Sequence, residues 1–167
     1  MPLIDFIYTG GAVRRFNHTL PSHKDDTVAQ HSFGVAWFCW LLDSRSPSSN
    51  LLMAALAHDL AEQSTGDIPA PAKRALGIKE QFDSYEATIF AANRMPNFDN
   101  MLNDAERRIL KIADCLDGAM RCIYEVKMGN TFMRKPLQRF ISYIEDMNPR
   151  VLERAILDEV ISLAMEE

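Results

Sequence analysis

The sequence predicts an all-α bundle of about six or seven helices. Apolar residues recur at helical spacing from one end of the chain to the other, and no stretch alternates as a half-buried strand does. Pro96, Gly129 and Pro149 separate the later periodic segments. With 167 residues, 47% of them hydrophobic, the chain is expected to form one domain over residues 1–167 and to bury its core without disulfides.

The elements follow in order. Residues 3–9 suit a short helix ended by Gly10-Gly11, and residues 12–26 read as a loop, basic at its start, then carrying Pro21, Lys24 and Asp25-Asp26. Asp26 or Thr27 is placed to cap a helix from 28 to about 43. Val35 to Leu41 make that helix apolar on all sides, which predicts a central position with Trp37 and Trp40 in the core. Asn50 is placed to cap a helix over 51–63, and Gly66, Pro69 and Pro71 break it. Further helices are expected at about 79–94, 102–128, 132–146 and 149–165.

Composition excludes several classes. A net charge of −5 disfavours a nucleic-acid polymer as partner but leaves room for one nucleotide. Three Cys, an odd number, disfavour a disulfide framework. Cys115 and Cys122 on one helix would stand roughly 10 Å apart, too far to bridge. Reduced thiols fit the cytoplasm. The N-terminus lacks the pattern of a signal peptide, and the apolar run from Val35 to Leu42 is far shorter than the ~20 residues of a membrane span, so no membrane partner is expected.

The chemistry gathers around a few side chains. His58 shares an apolar stripe with Leu51, Ala54 and Ala55, so its imidazole should face inward, and a lone inward His is more often an ordinary core residue. Asp59 beside it changes that reading, because a carboxylate is costly to bury unpaired. Glu62 lies four residues after His58, on the same helical face. His31 shares a stripe with Thr27, Val28 and Val35. Asp114 lies with Arg107, Asp117 and Arg121 on what, taken alone, reads as a solvated, salt-bridged face. Two His and two Asp suit one divalent transition metal such as Zn, Co or Mn. The other two histidines, His18 and His23, both precede His31, so an imidazole-rich two-metal site is not expected.

The order His31, His58-Asp59, Asp114 resembles the HD-domain metal-dependent phosphohydrolases over roughly residues 10–127. The string from His58 to Glu62, followed by Thr65-Gly66-Asp67-Ile68-Pro69 and Pro71-Ala72-Lys73, is similar to the bacterial 5′-deoxynucleotidase branch. Arg15-Phe16 matches that branch's Arg-aromatic pair, with Phe in place of Trp. The run from Gly11 to His18, leading to Thr27–Ser32, resembles small phage HD proteins, among them dATP triphosphohydrolases. Gln30 stands where both relatives often have Glu.

The resemblance implies an HD-domain bundle with His31, His58, Asp59 and Asp114 as metal ligands. It implies hydrolysis at phosphorus by water that the metal activates, with Asp59 and Glu62 catalytic and Glu62 taking the water's proton. Asp67 would bind the sugar 3′-hydroxyl, Arg15 phosphate or sugar, and Phe16 would pack against C2′. Lys73 and Lys111 would meet outer phosphates, and a triphosphate would bring additional Mg. The first activity implied is conversion of dATP to deoxyadenosine and triphosphate. The alternative is a 5′-deoxynucleotidase acting on monophosphates, and the non-enzymatic alternative is a nucleotide or metal sensor. The resemblance also implies a homo-oligomer.

Overall fold

The computed structural model describes residues 1–16, 22 and 26–165, apart from the side chains of Ala70 and Pro71. Most of the expected loop, including His18, Pro21, His23, Lys24 and Asp25, lies outside the described residues. The helices are α1 (Leu3–Gly11), α2 (Val28–Leu42), α3 (Ser49–Ala57), α4 (Glu62–Thr65), α5 (Ala70–Ala75), α6 (Lys79–Ala92), α7 (Asp104–Lys127), α8 (Arg134–Asp146) and α9 (Val151–Met165). Single 3₁₀ turns occupy Phe98–Met101 and Thr131–Met133. Among the described residues there is no strand, only an isolated antiparallel bridge between Arg14 and Thr27. None of the described helices is long and apolar enough to cross a membrane.

The 24-residue α7 is the axis, packed by α2, α3, α8 and α9. Its Ile112, Leu116, Ala119 and Ile123 meet Val35 and Cys39 of α2, Leu51 and Ala54 of α3, Ile144 of α8 and Leu157 of α9. A second cluster joins Phe6, Val28, Ala57, Leu60, Ala61, Ile89 and Phe90. It braces the turn after α3 from behind. The three cysteines are free thiols buried in the main core, and burial pushes all of them up to about 12, far from nucleophilic use at neutral pH.

Both long site helices begin with reciprocal caps. Thr27, not Asp26, caps α2: Gln30 N–H donates to Thr27 Oγ1 at 3.3 Å, and Gln30 Oε1 accepts the Thr27 N–H at 3.1 Å. Gln30 therefore serves the cap, as a Glu there also could. Asn103 and Glu106 form the same box at α7. At the far end of α7, the fully buried Glu125 carboxylate accepts from Ser22 N–H and Oγ–H, both at 2.7 Å, from Asn130 and from Arg121. These bonds hold it below the ordinary carboxylate range despite the opposing effect of burial.

Several expectations are corrected. Ser48, not Asn50, caps α3. A short helix, α5, starts within the expected break, with Pro69 at its cap and Pro71 in its first turn, where proline is tolerated. α2 is not covered all round: Phe33 is 64% and Trp37 52% exposed, while Trp40 is half-buried, because its neighbours cover only its other sides. Those three rings stack edge to face with centroids 6.3 and 5.6 Å apart.

α1 also continues through Gly10 and Gly11 instead of stopping before them. Gly10 is there for close approach: a Cβ on it would lie 2.7 Å from the Leu60 carbonyl oxygen. Gly10→Ala should therefore destabilise the fold by roughly 1–3 kcal/mol despite alanine's better helix propensity. Urea unfolding at equilibrium checks this, and a gain in stability would show that α1 can back away from the turn.

Candidate metal centre

α3 ends at Ala57, and residues 58–61 form a turn before α4. The backbone bonds there run from residue i to i+3: Leu60 N–H to Ala57, Glu62 to Asp59 and Ser64 to Ala61, each at 3.0 Å. The expected single helix over 51–63 is thus replaced by a tightened path. His58, Asp59 and Glu62 are presented by this turn rather than by one helical face.

The two imidazoles are aimed by their Nδ1 atoms. His58 Nδ1 meets the Ala55 carbonyl oxygen at 2.9 Å, and His31 Nδ1 meets Asp117 Oδ2 at 2.6 Å. The two Nε2 atoms stand 3.3 Å apart; with both Nδ1–H groups donating and a cation in place of the proton on His31, each ring would turn an Nε2 lone pair toward it. Asp114 Oδ1 lies 3.4 Å from His31 Nε2. Asp59 Oδ2 lies 3.6 Å from His31 Nε2 and 3.4 Å from His58 Nε2. His31, His58 and Asp114 each offer a ligand atom within 4.8 Å of the others'.

Two imidazole nitrogens and two carboxylate oxygens thus face one small space, a set of donors that a cation can share. Donors at roughly 2.0–2.1 Å from a shared ion in a tetrahedral set stand roughly 3.3–3.4 Å apart, and the separations around His31 Nε2 and between His58 and Asp59 run from 3.3 to 3.6 Å. The donor set, imidazole with carboxylate, suits a divalent metal. His31 carries the electrostatic signature of the site. Its burial disfavours charge, but Asp114 and Asp117 outweigh this and raise it to about 9.

Around the cluster the carboxyl groups are driven apart. Burial opposes charge on Asp59, but His58, Arg15 and His31 hold it below its ordinary range. Asp114 is held well below by Lys111 and the histidines, again against burial. Glu62, 7% exposed, is pushed the other way, up to about 9, by burial and by Asp59 and Asp67. Its Oε2 is buried with no hydrogen-bond partner. Neighbouring carboxyl groups whose surroundings push them in opposite directions mark Glu62 as the candidate for proton transfer and Asp59 as the candidate ligand.

The remaining predicted residues fall nearby. A short backbone pairing, Arg15 N–H to Asp26 at 2.8 Å and Val28 N–H to Val13 at 2.9 Å, holds the Arg15 arm beside the start of α2. Arg15 Nη1 donates to Asp59 Oδ2 at 2.5 Å, while its Nε is buried without a hydrogen-bond partner. Phe16 takes a left-handed backbone, φ 55°, and its N–H donates to Asp67 Oδ2 at 2.8 Å. Lys111 Nζ lies 2.8 Å from Asp114 Oδ2, and Lys73 Nζ 3.4 Å from Glu86 Oε1. Two features were missed in the sequence. Asp117 lies on α7 three residues after Asp114, a spacing that puts both on the face turned to α2. A cavity of about 480 Å³ opens beside His58, with Asp83, Glu86, Asp99, Lys79 and Arg107 in its wall.

Comparison with known proteins agrees with this geometry. Residues 11–155 match the family model described as 5′-deoxynucleotidase YfbR-like. A 4′-phosphooxetanocin A phosphatase of Priestia megaterium is 28% identical over 150 residues, 77% of this chain and 75% of that protein. A 5′-deoxynucleotidase of Pectobacterium atrosepticum is 23% identical over 64% of each chain. An HD-domain phosphohydrolase of Listeria innocua superposes with a TM-score of 0.77 at 20% identity, covering 98% of this chain and 89% of that one. The HD phosphohydrolase DatZ of cyanophage S-2L, solved with dA and one catalytic Zn²⁺, does so with a TM-score of 0.65 at 19% identity, covering 96% and 93%. The chain has the fold of those HD-domain phosphohydrolases, and it is a hydrolase that belongs to the YfbR-like 5′-deoxynucleotidase family.

Proposed function

We propose that the protein hydrolyses the 5′-phosphomonoester of deoxynucleoside monophosphates, with one divalent cation held by His31, His58, Asp59 and Asp114. The convergence of two Nε2 lone pairs and two carboxylates beside the unpartnered Glu62 Oε2 carries this reading. When bound, the cation supplies Lewis acidity toward water and phosphoryl oxygen.

The chain's own groups do the rest. Glu62 Oε2 accepts a proton from the attacking water as the new O–P bond forms. It returns a proton to O5′ as the P–O5′ bond breaks, giving deoxynucleoside and inorganic phosphate. Arg15 offers its Nε–H and guanidinium charge to the phosphate. Asp67 holds the Phe16 amide with Oδ2 and receives the sugar 3′-hydroxyl on its other oxygen, while Phe16 lines the 2′ side.

The order of the two sequence-based readings is reversed here for an electrostatic reason. Three lysines near the site are paired with carboxylates: Lys111 with Asp114, Lys73 with Glu86 and Lys79 with Asp83. The cavity wall beside His58 adds the carboxylates of Asp83, Glu86 and Asp99. A polyphosphate tail would meet more negative than free positive charge. DatZ, the structural neighbour bound to dA and Zn²⁺, keeps the triphosphate reading as the alternative outcome.

The test is product analysis with dAMP, AMP and dATP in Mn²⁺, Co²⁺, Zn²⁺ or Mg²⁺. Phosphate from dAMP, with AMP and dATP spared, is expected. Intact triphosphate from dATP would move the protein to the triphosphohydrolases, and no turnover with any cation would overturn both readings.

A further inference from the structure

We infer that Asp117 is the positioning residue of the cation centre and that Gly34 makes room for it. This rests on the reading of the His–Asp cluster as a cation site. Asp117 lies on α7, three residues beyond the ligand Asp114, and reaches across to α2. Its Oδ2 accepts from His31 Nδ1 at 2.6 Å. Its Oδ1 lies against the backbone of Gly34, three residues after His31 on α2: a Cβ there would stand 1.8 Å from Oδ1 and 2.8 Å from Cγ. The carboxylate is thus clamped between the imidazole it orients and a helix surface without a side chain.

The clamp determines what His31 can do. The ring is 1% exposed. A buried neutral imidazole offers one N–H and one lone pair, and its environment decides which nitrogen carries which. Asp117 takes the Nδ1 proton, so Nε2 faces His58, Asp59 and Asp114 as a lone pair. A carboxylate on the far nitrogen also raises the basicity of the ligating one. Without Asp117, the Nδ1–H would lose its acceptor in a buried pocket, and the ring would gain by rotating or by moving its proton to Nε2, where it blocks coordination. A side chain at position 34 would produce the same loss from the other direction, because Asp is too short to move aside and still reach His31.

The role is separable from mere filling of space. An asparagine side chain keeps the shape and a carbonyl oxygen that accepts from Nδ1. Alanine keeps neither.

The experiment measures Mn²⁺ and Co²⁺ affinity of the full chain, stripped of metal, by calorimetry with a competing chelator. Wild type, D117N, D117A, G34A and D114A are compared. In parallel, ¹⁵N-imidazole spectra report the His31 tautomer. Wild type should bind one equivalent. D117A and G34A should still bind one equivalent but 10–100-fold more weakly, with His31 shifted from the Nδ1–H form. D117N should stay within a few-fold of wild type, and the double variant G34A/D117A should be no weaker than D117A. Equal affinity for wild type, D117A and G34A, with an unchanged tautomer, would overturn the inference while leaving the cation site intact. No uptake by wild type, or uptake unaffected by D114A, would overturn the cation site itself. If D117A fails to fold, D117N and G34A still decide: a loss in D117N as large as in G34A would show that the negative charge, not orientation, is what matters.

Discussion

Replacing Glu62 by Gln should lower kcat for dAMP by roughly 10²–10⁴-fold, the range typical of a lost general acid–base. Cation affinity and KM should change little. Three observations set this expectation. Glu62 opens α4, directly after the turn that carries His58 and Asp59. Its Oε2 is buried without a partner, so it faces the reacting groups rather than a structural one. Burial, with Asp59 and Asp67, raises it above the ordinary carboxyl range, and a divalent cation beside it would bring it back toward neutrality, where it can both take and give a proton. Gln has the shape of the neutral acid, so the fold should persist, and thermal unfolding should show a midpoint at or above that of wild type. A kcat within three-fold of wild type would remove Glu62 from the chemistry and leave it as a buried structural acid.

Removing the divalent cation with a chelator should abolish turnover and also lower thermal stability. The donors converge at 3.3–3.6 Å in the folded chain only, so a bound cation favours the folded state over the unfolded one. A ligand specific to the folded state stabilises it by about 2.7 kcal/mol at a hundred times its Kd. For a chain of this size that corresponds to a rise in Tm of roughly 5–10 °C. Differential scanning calorimetry before chelation, after it, and after return of Mn²⁺ or Co²⁺ checks both effects on one sample. Full activity and an unchanged Tm after chelation would contradict the assignment of these donors.

The sequence made the helical architecture legible because helices declare themselves locally, through period and caps. The Thr27–Gln30 and Asn103–Glu106 boxes stand at the starts of the two helices that carry His31 and Asp114. His31 and His58 stood out because an imidazole on an apolar stripe violates its surroundings. Two things were hidden. The tightened path through residues 58–61 has nearly the same residue pattern as a helix, and only tertiary contact, the Leu60 carbonyl against Gly10, distinguishes it. Asp117 was read as part of a solvated face because alternating acids and bases on α7 look alike whether they meet water or an imidazole. The exposed side of α2 was misjudged for a related reason: Phe33 and Trp37 are as apolar as core residues, and composition does not report what covers them.

Glu125 is remote in sequence from the Arg15 arm, yet it is tied to the chain that follows that arm. Ser22 binds it through both its amide and its hydroxyl, while the Arg15 N–H donates to the Asp26 carbonyl. Under the proposed reading, in which Arg15 and Phe16 meet the substrate, these ties spend part of the entropy of placing the two residues during folding rather than on each encounter. A change at Glu125 should then register as weaker binding of a nucleotide it never touches.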